Sequence, residues 1–227
     1  MAISGTGLIG NGLQATQSIY TTASVTPSSD NLVLVAVISV LNSALSTPTL
    51  TGNGLTYVQI GSPVDFGAIA TPEYRFSLFR ALGASPSAGA ITITHSLSMF
   101  GCLWTVSQFS GIDTGGTNGS AAIVQSATNR ADTATSLTAT LAAFADAANG
   151  CYGAFGLAVN NSVSQGAGFT ALDNFGIGTL ARLSAQWRVD NDTTVDASFA
   201  SSNVAGFAVE IKAAQTVANN QLAWCVA

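Results

Sequence analysis

Alternation of apolar and polar residues is the feature that most restricts how this chain can fold. In residues 181–189, ARLSAQWRV, every second residue from Leu183 onward is apolar and the residues between them are polar. The same period of two recurs in 73–80, 91–94, 194–199 and 204–212. Because a period of two puts successive side chains on opposite faces of a β-strand, these segments are predicted to be strands with one buried face. The predicted core residues are Phe76, Leu78, Ile91, Ile93, Trp104, Leu183, Trp187, Phe207, Val209 and Ile211.

Turn-forming residues separate the alternating segments. Gly, Pro, Asn and Asp are concentrated in TGNG (51–54), GASPSAG (83–89), TGGTNGS (114–120) and VDNDTT (189–194). These residues supply the positive or fixed φ angles that turns require. The pattern predicts roughly eleven strands and no long helix. The fold class that follows is all-β, a two-sheet antiparallel β-sandwich of jelly-roll type.

The distribution of these segments predicts how the chain is organised. The alternation lies mainly between residues 30 and 213, which are expected to form a single sandwich domain. Residues 1–29 are rich in Gly, Thr and Ser and are predicted to form an extended N-terminal arm. Residues 214–227 follow the last core strand and are predicted to form a C-terminal arm.

A faint internal repeat divides the predicted sandwich into halves at 30–113 and 149–213. The matching segments are 30–43 with 149–162, RFSLFR (75–80) with RLSAQWR (182–188), and WTVSQF (104–109) with GFAVEI (206–211). Each half is predicted to supply one unit of about four strands, as in a sandwich made of two Greek keys. Phe109 then corresponds to Ile211, and the segment SGIDTGG that starts at Ser110 is the link between the halves.

The small number of charged residues excludes several classes of function. Asp, Glu, Lys and Arg make up 7% of the 227 residues, against roughly 25% in ordinary soluble domains. Nucleic-acid binding needs clustered cations, and the chain has only six Lys and Arg together. The longest apolar stretch, 32–41, is half of the roughly 20 residues that a membrane-spanning helix needs, and residues 1–12 lack the basic and apolar regions of a signal peptide. We therefore expect neither nucleic acid nor a membrane as a partner.

Motifs that suggest catalysis or cofactor binding are incomplete. Gly5-x-Gly7-x-x-Gly10 has the spacing of the dinucleotide fingerprint, but that motif works only between a strand and an amphipathic helix, and no such helix is predicted here. Ser110 is not in a Gly-x-Ser-x-Gly context, and His95 is the only histidine that could serve as a base. The chain is predicted not to be an enzyme and to need no cofactor. Its three cysteines lack metal-binding spacing and are expected to be buried thiols.

The densest group of acids is the candidate metal site. Asp190, Asp192 and Asp196 are hard oxygen ligands at short spacing, which is the kind of ligand that calcium takes. The glycine and the closing glutamate of a calcium loop are missing, so a hairpin turn in which Asp and Asn bond their own backbone is the alternative. If any ion binds, we expect it to be calcium at these three residues.

The segment at 104–113 carries a resemblance to a known family. Its pattern W-x-V-x-x-F-S-G-I-D, followed by a Gly/Asn loop, resembles a sandwich domain of tailed-phage virion proteins and of some bacterial surface proteins. The resemblance covers about residues 30–213. It implies a structural role in assembly, and it brings no catalytic residues with it.

The surface of the predicted sandwich favours self-assembly. Isolated sheets normally protect their edge strands with Lys, Pro or inward charges, whereas this chain has one Lys and five Pro. The apolar segment LAWCVA (222–227) follows the last core strand, and we expect Leu222, Trp224 and Val226 to contact another chain. These features predict a homo-oligomeric structural protein located in a virion, such as a capsid decoration, head-fibre or tail subunit, bound to other virion subunits.

An alternative function is an extracellular, lectin-like carbohydrate-binding module. Aromatic side chains stack on sugar rings when they are exposed in a row, and Tyr57, Tyr152 and Trp224 are the candidates for such a platform. The two interpretations overlap, because a phage fibre or tail protein can also bind a glycan of its host.

Overall fold

The computed structural model describes residues 2–40, 44–67 and 74–215. These ranges contain strands and no helix, and thus no helix long and apolar enough to cross a membrane. The strands are β1 (Ser4–Leu13), β2 (Gln17–Thr21), β3 (Leu32–Val40), β4 (Thr49–Gly52), β5 (Leu55–Thr56), β6 (Val58–Gln59), β7 (Val64–Phe66), β8 (Tyr74–Ala81), β9 (Ile91–Met99), β10 (Gly101–Ser110), β11 (Ile123–Thr140), β12 (Gly150–Leu157), β13 (Val163–Gln165), β14 (Thr170–Ile177), β15 (Ala181–Arg188) and β16 (Thr194–Ile211).

The strands form three antiparallel sheets. The first sheet has the order β1-β10-β3-β8-β6, with β7 also pairing with β8. The second sheet has the order β11-β16-β12-β15-β14, with β13 also pairing with β16, and the outer sheet has the order β2-β9-β4-β5. The prediction of an all-β antiparallel fold built from packed sheets is therefore confirmed. Its assignment to the jelly-roll type stays a prediction.

The internal repeat corresponds to equivalent strands in the first and second sheets. The neighbours β10-β3-β8 of the first half recur in the second half as β16-β12-β15, in the same order. The segments that match in sequence, Arg75-Phe76-Ser77 and Arg182-Leu183-Ser184, lie on the equivalent strands β8 and β15. Each half of the chain thus contributes one of the two central sheets.

The main core lies between these two sheets. Its side chains come from alternate residues of β3, β8 and β10 on one side and of β12, β15 and β16 on the other. Phe76 of the first sheet meets Phe207 of the second edge-to-face, with their ring centroids 5.1 Å apart. Such aromatic pairs contribute about 0.5–1.5 kcal/mol beyond their buried area.

The predicted core positions lie in these packed layers. Nine of the ten are buried, and the exception is Trp187, which is half-buried against the main core. The prediction of the inward-facing residues is therefore confirmed for nine positions. The partly exposed Trp187 is the second-to-last residue of β15. Its ring packs on Phe109 at a centroid distance of 6.1 Å.

Ile38 and Gly156 are in close contact between the two central sheets. Ile38 pairs with Leu103 and Phe76 on its neighbouring strands, and Gly156 pairs in the same way with Ala205 and Leu183. These two residues therefore occupy equivalent positions in the two halves. A Cβ atom added to Gly156 would lie only 2.7 Å from Cδ1 of Ile38. A large residue in one half thus fills the space that a missing side chain leaves at the same position in the other.

Two smaller cores lie on the outer faces of the central sheets. Between the first sheet and the outer sheet, Val33, Val35 and Val37 of β3 meet Ile91 and Ile93 of β9. On the far side of the second sheet, the β11–β16 ribbon has register shifts between residues 131 and 136, and its distal part packs back over β12. Both faces of β3 and β12 are therefore covered, which explains why these two strands are buried along their whole length.

The N-terminal segment corrects one prediction. Residues 1–29 were expected to form an arm, but β1 pairs with β10 from Ser4–Ser110 to Leu13–Cys102, and β2 pairs with β9. The polar, Gly-rich composition suggested an arm because it lacks the alternation of a half-buried strand. β1 is instead an edge strand whose small residues pack against another strand. The predicted C-terminal arm lies outside the described residues from position 216 onward.

The Ile38–Gly156 contact predicts a specific coupling between the two halves. Gly156→Ala should destabilise the protein by about 1–3 kcal/mol, because a well-packed core resists added volume. Ile38→Val removes the Cδ1 atom that the new methyl would meet, so the double variant should be more stable than the sum of the two single effects. Urea unfolding of the four proteins measures this coupling.

A matched control is Gly89→Ala, whose added Cβ would have no neighbour nearer than 4.0 Å. This control should change the free energy of unfolding by less than Gly156→Ala does. Additive effects of the two core substitutions would contradict the contact.

Candidate functional site

The segment SGIDTGG is where the first half of the chain ends and the link to the second half begins. The ammonium of Lys212, just after β16, donates to Asp113 at 2.8 Å, and the amide of Gly115 donates to the same carboxylate at 2.9 Å. These bonds lower the pKa of Asp113. Ile112 also bridges to Ala213. The segment therefore ties the end of one half to the end of the other.

All six cationic side chains of the protein bond to groups of the same chain. The ion pairs are Arg75–Asp65, Arg188–Asp190, Arg188–Asp192 and Lys212–Asp113. The remaining cations bond to oxygens of loops and strands: Arg80 to the carbonyls of Thr117 and Asn118, Arg130 to the carbonyl of Asp65, and Arg182 to the side chains of Asn160 and Asn174. The cations thus fasten loops to the sheets, and they do not form the basic patch that nucleic-acid binding requires.

The candidate calcium residues have other partners. The guanidinium of Arg188 bonds both Asp190 and Asp192. Burial alone would raise the pKa of Asp192, but bonds from Thr194 and the charge of Arg188 lower it. The side chain of Asp196 lies against Gly166 instead. Within the described ranges, no three His, Cys, Asp or Glu side chains are grouped so that they could hold a metal ion. A turn in which Asp190 and Asp192 accept bonds from the amides of Asp192 and Thr194 fits this segment better than a calcium loop does.

The Gly5-x-Gly7-x-x-Gly10 motif has a structural explanation. It lies inside β1, which packs face to face against β14. A Cβ at Gly5 would lie 2.6 Å from the ring of Phe109, one at Gly7 would overlap the carbonyl of Leu172, and one at Gly10 would overlap the carboxylate of Asp173. Gly7 and Gly10 therefore let β14 approach the first sheet closely, and Gly5 leaves room for the rings of Phe109 and Trp187. Burial in this contact raises the pKa of Asp173.

His95 lies in a buried contact that the sequence did not reveal. Its Nε2 is 2.7 Å from the hydroxyl of Ser39, and its ring meets Tyr20 edge-to-face at a centroid distance of 5.8 Å. Burial lowers the pKa of His95 from 6.5 to about 4. The histidine bonds a serine of the neighbouring sheet and not Ser110, so it links the first sheet to the outer sheet.

The described cysteines are buried thiols, as the composition indicated. Cys102 and Cys151 are free and buried. Burial raises the pKa of both thiols, that of Cys151 to about 12. Because the thiolate is the reactive form, neither residue is suited to nucleophilic chemistry. Cys225 lies outside the described residues.

The two tyrosines suggested for a sugar-stacking platform differ in burial. Tyr152 is completely buried in the main core, where its ring meets Phe109 at 5.9 Å. Tyr57 is half-buried, and its hydroxyl donates to Asn53 at 3.2 Å. Trp224, the third candidate, lies outside the described residues. The prediction of an aromatic platform is therefore wrong for Tyr152 and stays a prediction for Tyr57.

Exposed apolar side chains mark a different kind of surface. Among the described residues, the large apolar side chains with the greatest exposure are Leu13 (45%), Ile19 (53%), Leu97 (47%), Val124 (47%) and Val189 (42%). Three of them lie on strands at the ends of sheets: Leu13 on β1, Ile19 on β2 and Val124 on β11. Such strands present unpaired backbone groups along one side. Sequence alone missed this surface, because Leu13 and Ile19 lie in the segment assigned to an arm.

Comparisons of the chain with family models, with curated proteins and with solved structures found no match. The function is therefore argued from the residues and surfaces of this chain.

The buried His95 predicts a pH dependence of stability. In the unfolded chain its pKa is near 6.5, whereas in the folded protein it is about 4. Between these pH values the unfolded state binds more protons, so stability falls as the pH falls from about 6.5 to about 4. Above pH 6.5 His95 is neutral in both states, so its full contribution to the free energy of unfolding is present. His95→Gln, which keeps a group able to bond Ser39, should lose less stability over this window than the natural protein does.

Urea unfolding at several pH values between 7 and 4 measures the difference between the two proteins. The natural protein and the variant must be compared, because Asp173 has the opposite effect on the pH dependence. Its pKa is raised in the folded protein, so its contribution to stability is lost as the pH rises. Equal losses of stability in the two proteins on acidification would refute the role of His95.

Proposed function

We propose that this protein is a structural subunit of a tailed-phage virion, such as a capsid decoration, head-fibre or tail subunit, that acts by binding copies of itself and neighbouring subunits. The observation that carries the proposal is the character of the sheet edges. Leu13, Ile19 and Val124 expose apolar side chains on terminal strands. A monomer normally blunts such strands with charged residues or proline, and β1 and β2 contain neither.

The distribution of charge supports the same role. Every cationic side chain is bonded within its own chain, and the net formal charge of −5 is spread over 227 residues. Electrostatic repulsion between copies is therefore weak, and contacts between neutral surfaces are little opposed. Thr, Ser, Asn and Gly provide most of the polar exterior, and such residues can hydrogen-bond a neighbour without desolvating a charge.

The C-terminal segment is the second element of the proposal. Leu222, Trp224 and Val226 follow the last strand of the second sheet, and in the proposed assembly they contact a neighbouring chain. Burying large apolar side chains stabilises a contact by about 1.5–3 kcal/mol for each. Together with the resemblance of residues 104–113 to virion sandwich domains, these side chains favour attachment to a particle over a solitary role.

The proposal predicts that the full-length protein is an oligomer and that its mass depends on the C-terminal segment. The triple substitution Leu222→Ser, Trp224→Ser and Val226→Ser should shift the sedimentation equilibrium toward monomer, because it removes the apolar area buried between chains. Analytical ultracentrifugation over a range of protein concentrations measures this shift.

The matched control is Val189→Ser, which changes an exposed apolar residue in the turn after β15. It should leave the mass unchanged. A monomeric natural protein, or a triple variant that assembles as well as the natural protein, would contradict the proposal.

A further inference from the structure

A pocket of about 330 Å³ lies beside the end of the last strand. It is lined by Ala121, Ile123, Val124, Ala145, Asp146, Asn149 and Lys212. Four of these seven residues are apolar, and the polar ones come from the loop before β12 and from the residue after β16. The pocket therefore suits a ligand that is mostly apolar and carries few hydrogen-bonding groups.

The exposure of Val124 has a cause in the backbone. The register of β11 against β16 shifts between Ile123 and Gln125, so Val124 has no residue opposite it. Such a bulge redirects a side chain away from the regular face of a sheet. Val124 consequently reaches 47% exposure beside the pocket, although it lies in a strand of a packed sheet.

The described chain runs along the rim of this pocket. The amide of Ala213 donates to Asn149 at 2.9 Å, and the side chain of Gln215 donates to Asp146 at 3.4 Å. Residues 216–221 separate this point from Leu222 and can span about 20–25 Å when extended. The apolar segment LAWCVA is therefore tethered near the face of the protein that carries this pocket, where a second copy could also be engaged.

We propose that the pocket binds residues 222–227 of a second copy of this chain, with Trp224 against Ile123 and Val124. Trp combines a large apolar ring system with one N–H donor, and Asp146 provides a carboxylate acceptor in the wall of the pocket. Copies of one chain can associate by exchanging identical segments, because the pocket of each copy then binds the same segment of its neighbour. The inference rests on the proposed function, because it needs an assembled neighbour.

Cysteine cross-linking in the full-length protein tests this assignment, because Cys225 lies within the segment. Val124→Cys introduces a thiol beside the pocket, and Ala145→Cys introduces a second one at an exposed position on its wall. After mild oxidation, non-reducing electrophoresis should show covalent dimers and larger species. Their yield should exceed that of the controls by roughly tenfold or more, because thiols held together react at a high effective concentration. Cys102 and Cys151 are buried and do not compete.

Two controls match the variants. Leu97→Cys has the same exposure of the parent side chain, 47%, but lies on the outer sheet. Val124→Cys combined with Cys225→Ser lacks the partner thiol. Both should give only background cross-linking.

The remaining outcomes separate the two proposals. A cross-link within a single chain, at either position, would overturn the second copy as the occupant. Absence of cross-linking at both positions in a protein whose mass is oligomeric would overturn the pocket while leaving the proposed function intact. A monomeric mass would overturn the proposed function and this inference together.

Discussion

Contact between Ile38 and Gly156 leaves no room for a further side chain between the two central sheets at this point. The first carbon of a side chain at position 156 would lie 2.7 Å from Ile38, so one of the two sheets would have to shift. The strand that pairs with β3 beside Ile38 also carries Phe76, whose ring meets Phe207 of the second sheet. Two identical halves could not make this contact, since the same position would carry either two large residues or two small ones. Divergence of the halves within one chain allows one to supply the large residue and the other the space.

Packing of the central sheets also explains several polar features. The glycines of β1 let β14 close one side of the sandwich, and Arg130 reaches across to the carbonyl of Asp65 at the other side. Lys212 and Asp113 join the ends of the two halves. The six cationic side chains are thus used to fasten the chain's own strands and loops.

The sequence predicted the fold class because alternation is a local property. The facing positions of β8, β15 and β16 follow from a period of two, and Leu183 and Val209 are buried as expected. The contributions of β1 and β2 were missed, because an edge strand with small residues has no alternation of hydrophobicity to detect. The glycines of β1 are explained only by the contact with β14. That contact joins residues more than 160 positions apart, so the local sequence does not show it.

The candidate sites were harder to predict, because they depend on contacts between distant segments. Spacing suggested that Asp190, Asp192 and Asp196 could share an ion, but it could not show that Arg188 bonds two of them. His95 gave no sign of Ser39 as its partner, since the two residues lie on different sheets. Tyr152 was proposed for a surface and lies in the core. Exposure of an aromatic side chain depends on which sheet covers it, and the local sequence does not specify that.

Native-state hydrogen exchange is the measurement that tests most directly whether the two halves form one unit through their shared core. The amides of β3 and β12 lie in different halves and are buried along their whole length. If the sheets depend on each other, the slowest amides of both strands should exchange with the same free energy, equal to that of global unfolding. Exchange of one strand at a clearly lower free energy, while the other stays protected, would contradict the account.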